Sequence, residues 1–157
     1  MVLATSSSSL AAPSAAKTGV VVVNTRLAYG GGGGAGTGIV LTSSGTVLTN
    51  NHVIRGAGSI RVTVPSSGRS YTATVAGYSV SKDIAVLKLS NAQGLATVQT
   101  GNSNTVEVGD RVTAVGNGGG GGLTVKSGKV TGLGESITIS SDGEPFNGNA
   151  CGDSDGD

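Results

Sequence analysis

Between residues 20 and 89 the chain is written in short β-branched runs broken by turn residues, with no helical spacing longer than one turn. Val, Ile and Thr dominate these runs, and their branched side chains suit the pleated, half-buried surface of a strand. Residues 20–27, 36–41, 45–49, 60–64, 71–78 and 84–89 read as strands. Ser43-Ser44-Gly45 is a hairpin turn, and residues 65–68 form another turn around Pro65 and Gly68. Residues 30–34 are five consecutive glycines, expected as a mobile or tightly turning loop. Residues 50–54 read as a single helical turn capped by Asn50. About six short strands joined by turns predict an antiparallel barrel or sandwich.

A second strand group follows a polar connection at residues 90–105. Residues 111–115, 123–133 and 136–139 carry its strand signal, and a second five-glycine run occupies residues 118–122. The flanks of the two glycine runs differ, so they are not a repeat. Neither precedes a helix with a phosphate-binding lysine, so neither is a nucleotide loop. The expected organisation is a flexible Ser/Ala-rich segment at 1–18, a first barrel at 19–90, a connection at 91–105 and a partial second barrel at 106–157. The Ser/Ala-rich start lacks the basic and apolar regions of a signal peptide.

Several function classes recede on composition. No segment has the run of about 18 apolar residues that spans a membrane. All ten Lys and Arg precede residue 130, while five of the nine acids fall in the last 16 residues. The basic residues are scattered without runs or interleaved aromatics, which argues against nucleic-acid binding. Cys151 is the only cysteine, so no intrachain disulfide is possible, and it reads as a bystander. Asp153-Ser154-Asp155-Gly156-Asp157 alternates carboxylates as calcium loops do, but lacks the further ligands and closing Glu. No metal site is expected.

Chemistry concentrates on three residues. His52 is the only histidine and sits in Leu48-Thr49-Asn50-Asn51-His52-Val53-Ile54. Asp83 follows in Lys82-Asp83-Ile84-Ala85-Val86-Leu87, ahead of an apolar strand. Ser154 lies in Gly152-Asp153-Ser154. A histidine, an aspartate and a serine in that order are the parts of a serine-nucleophile triad. A serine hydroxyl is a poor nucleophile at neutral pH unless a base is hydrogen-bonded to it, and His52 is the one imidazole available.

These motifs resemble the HtrA-like branch of trypsin-fold serine proteases. Gly36-Thr37-Gly38-Ile39-Val40 is similar to that family's Gly-Ser-Gly-Phe strand. The segments around His52 and Asp83 resemble its histidine and Asp-x-Ala-x-Leu motifs. Val108-Gly109-Asp110 and Ala114-Val115-Gly116-Asn117 resemble its entry into the second barrel, and Gly152-Asp153-Ser154 its nucleophile turn. The similarity leans toward secreted actinobacterial members. It implies an all-β, double-barrel fold and serine endopeptidase activity through an acyl-enzyme, without metal or organic cofactor. By the same resemblance Ser154 is the nucleophile, His52 the general base and Asp83 its orienting partner. The backbone N–H groups of Gly152 and Ser154 form the oxyanion hole. Unfolded or damaged polypeptides outside the cytoplasm are the implied substrates.

The chain departs from the family after the nucleophile turn. Asp155 and Asp157 replace a Gly and a Pro, and a carboxylate beside the oxyanion hole opposes the developing negative charge. The family's later strands and its PDZ domain have no counterpart in this sequence. The expectation is therefore a complete first barrel and an incomplete second one. A catalytically impaired module that binds peptides or a partner is the alternative reading.

Overall fold

The computed structural model describes residues 2–4, 13–29, 31–117 and 121–136. Strand β1 (Val2–Ala4) and the helical turn α1 (Pro13–Ala16) precede the main body. There, β2 (Val20–Leu27), β3 (Gly33–Thr42), β4 (Thr46–Thr49), β5 (Ala57–Val64), β6 (Arg69–Ser79) and β7 (Ile84–Leu89) close a six-stranded barrel in the order β2-β3-β4-β7-β6-β5. Every pairing is antiparallel, and β2 against β5 completes the ring. Closure leaves no unpaired edge among these six strands. The one helical turn inside it, α2 (Asn51–Ile54), joins β4 to β5.

Side-chain alternation explains why these runs form a barrel. Along β7, Ala85, Leu87 and Leu89 are buried while Ile84 and Lys88 face out. Val21 and Val23 on β2, Val40 on β3, Val47 on β4 and Val62 on β5 meet them inside. Each buried branched side chain contributes about 1.5–3 kcal/mol by leaving water. The core is thus built from small aliphatics, the size that fits a narrow six-stranded ring.

The first glycine run is less of a loop than the sequence suggests. Gly33 and Gly34 belong to β3 and pair with Arg26 and Thr25. A Cβ on Gly33 would stand 2.5 Å from the Thr25 carbonyl oxygen, so the hairpin extends this far because no side chain is there.

After β7 the chain runs along the barrel without a strand. Its Leu95 and Val98 N–H groups donate to the carbonyls of Ser43 and Val40. A short 3₁₀ turn at Ser103–Thr105 leads to β8 (Arg111–Gly116), which pairs with β9 (Thr124–Lys129) and, on its other side, with β1. The strand expected at 123–133 stops at Lys129. Opposite that point the partner strand gives way to the turn in which Asp110 N–H donates to the Glu107 carbonyl. Val130 closes on Gly109 and Asp110, and among the described residues nothing further pairs with the chain. Of the strand expected at 136–139, all but Ser136 lies outside the described residues.

The two halves meet at β3. The Asn117 N–H donates to the Thr37 hydroxyl at 2.8 Å, and the Thr49 hydroxyl donates to the Thr37 carbonyl at 2.7 Å. Thr37 therefore ties the end of β8 to the strand that leads into α2.

Candidate active site

The site is built where β4 ends and β7 begins, since those strands are neighbours in the barrel. Thr49 pairs with Ala85, which sets the residue after β4 beside the residue before β7. Asn50 and His52 thereby come to face Asp83, although 31 residues separate His52 from Asp83 in sequence.

Packing fixes the turn that carries His52. Ile54 is buried in the barrel end, and Val53 packs on β3. Gly36 makes room for it, because a Cβ there would lie 2.5 Å from Val53 Cγ2. Thr25 holds the turn from the other side, with its hydroxyl 3.3 Å from the Val53 carbonyl oxygen. The same hydroxyl accepts the Gly34 N–H at 3.2 Å.

Asp83 meets the turn with both carboxylate oxygens. Oδ1 accepts the His52 backbone N–H at 2.9 Å, and Oδ2 lies 2.6 Å from His52 Nδ1. An ionised carboxylate can only accept, so Nδ1 carries the proton in this contact. In the neutral ring that leaves Nε2 with a free lone pair, the arrangement of a general base. The His52 side chain is half exposed and Asp83 a quarter exposed. The ring is open to an incoming group while the carboxylate is more protected.

Electrostatics agree with that division. Desolvation alone would raise the Asp83 pKa. Hydrogen bonds from the His52 backbone and ring, the ring's charge and a hydrogen bond from Asn50 outweigh it, and the pKa falls below the usual 3.8. The carboxylate is thus ionised throughout the neutral range.

The structure brings His52 and Asp83 together. Ser154 and Gly152 lie outside the described residues, as do Asp155 and Asp157. No group of three metal-ligating side chains occurs among the described residues. No described helix is long and apolar enough to cross a membrane. Sequence reading missed two contributors. Asn50 is at the N-terminus of α2, but its side chain makes no capping hydrogen bond and reaches Asp83 instead. Thr25 reads as an ordinary strand residue until the fold places it under Val53.

Residues 36–156 match the trypsin-like peptidase domain, and the chain belongs to that family. The probable periplasmic serine endoprotease DegP-like protein of Buchnera aphidicola is 39% identical over 102 residues, which is 64% of this chain and 21% of the relative. The periplasmic serine endoprotease DegP of Salmonella typhimurium shows the same 39% over 102 residues, with the same coverage. Among solved structures, the HtrA-type protease AlgW with a tripeptide superposes with a TM-score of 0.71 at 31% identity. That match covers 76% of this chain and 38% of the AlgW chain. The fold and the relatives together make this an HtrA-like, trypsin-fold chain. It spans about a fifth of the length of the curated relatives cited here.

Proposed function

We propose that this chain carries the catalytic machinery of an HtrA-like serine endopeptidase that hydrolyses peptide bonds in unfolded or damaged proteins. The observation that carries the reading is the two-point contact of Asp83 with His52, made at the end of a barrel of the matching fold. In this reading His52 Nε2 accepts the proton as Ser154 Oγ attacks the scissile carbonyl. Asp83 holds the ring's tautomer and stabilises the imidazolium. The N–H groups of Gly152 and Ser154 receive the oxyanion, a donor set worth about 3–4 kcal/mol per donor by precedent. The imidazolium then protonates the leaving amine. Water, activated by the same base, hydrolyses the acyl-enzyme and restores Ser154. No step calls on a metal or organic cofactor. Relatives named as periplasmic endoproteases support polypeptide substrates and a location outside the cytoplasm. Their names also favour an enzyme over a binding module.

The test is intact mass after incubation with a fluorophosphonate. A single adduct is expected on the wild-type chain, lost in both Ser154→Ala and His52→Ala. No adduct on a folded protein would overturn the reading.

A further inference from the structure

We infer that Asn50 is a positioning residue that clamps Asp83 for the His52 ring. The inference deepens the proposed peptidase reading and rests on it. Asn50 occupies the N-cap position of α2, where Asn ordinarily accepts a backbone N–H from the first turn of the helix. Its side chain makes no such bond. Instead Nδ2 lies 3.0 Å from the Asp83 carbonyl oxygen and 3.3 Å from Asp83 Oδ2. One amide thus bridges the main chain and the side chain of a single residue.

That bridge answers a conformational problem. Asp83 has φ of 49°, the left-handed region, which is unfavourable for a residue with a Cβ. Its N–H donates to the Val80 carbonyl at 3.1 Å, and its carboxylate takes both His52 donors. The Asn50 amide engages the remaining polar atom, the carbonyl oxygen, and adds a second donor at Oδ2. Every polar atom of Asp83 then has a partner. The carboxylate can neither rotate away from His52 nor follow a relaxing backbone. The amide adds donors without adding charge, so it fixes the carboxylate while leaving the ring as the only proton carrier.

The test uses the His52 ring itself, the only imidazole in the chain. In ¹⁵N-labelled protein, the Nδ1–H proton gives a downfield signal whose position and water exchange report the bond to Asp83. Asn50→Ala and Asn50→Ser are compared with wild type, with barrel amide signals verifying the fold. Serine is a good cap but too short to bridge Asp83, so the two variants separate the roles. Both are expected to shift the signal upfield and speed its exchange about tenfold, the effect of one lost hydrogen bond to a charged group. An unchanged signal in Asn50→Ala, or one preserved in Asn50→Ser, would overturn the clamp. The readout does not need Ser154. A responding ring signal without a fluorophosphonate adduct therefore supports the clamp and sinks only the peptidase reading. An adduct with an unmoved ring signal does the reverse.

Discussion

At the scale of single residues, Asp83 carries two predictions, one for reactivity under the proposed mechanism and one for acid stability. Asp83→Asn removes the acceptor that selects the His52 tautomer, and fluorophosphonate labelling should slow by about 10⁴-fold on the precedent of other triads. The stability effect has a definite sign. A carboxylate whose folded pKa lies below the usual 3.8 stabilises the fold above that pH and loses the contribution as pH falls through the folded value. Thermal midpoints measured from about pH 5 down to about pH 2 should therefore drop less in Asp83→Asn than in wild type. An identical drop would show that the contact carries no folding energy. His52 and Asp83 were legible as residues because their flanking segments are distinctive. The contact of Asn50 with Asp83 was not, since an Asn before a helical turn reads as a cap. Only the pairing of β4 with β7 brings it beside a residue 33 positions away.

At the scale of elements, the histidine turn depends on a missing side chain. Gly36 faces Val53, and a methyl group there would sit 2.5 and 2.7 Å from the two Val53 γ-carbons. Gly36→Ala should cost about 1–3 kcal/mol in urea unfolding, as overpacking does, and should displace the turn. Val53→Ala in the same chain should recover most of that loss; a purely additive double variant would refute the contact. The strands themselves were readable from β-branched runs, and β2 and β7 fall where the pattern puts them. Their ends were less so. The start of β3 hides in a glycine run whose strand character comes from its partner, not its own propensity. The end of β9 is set by where β8 begins, a long-range fact that no local window contains.

At the scale of the whole molecule, the barrel closes on itself, and Thr37 on β3 takes the Asn117 N–H from the end of β8. Thr37→Val keeps the shape but removes the acceptor of the Asn117 N–H. It should destabilise the chain by about 1–3 kcal/mol, because a largely buried donor loses its partner. Thr37→Ser should stay close to wild type, with amide exchange at Asn117 as the readout. Equal behaviour of the two variants would mean the hydroxyl carries nothing. Antiparallel all-β architecture was plain from the sequence, but this joint was not, because it pairs positions 80 residues apart. What the joint reads at position 37 is a single oxygen atom on the β-carbon, a requirement that serine would meet as well as threonine does.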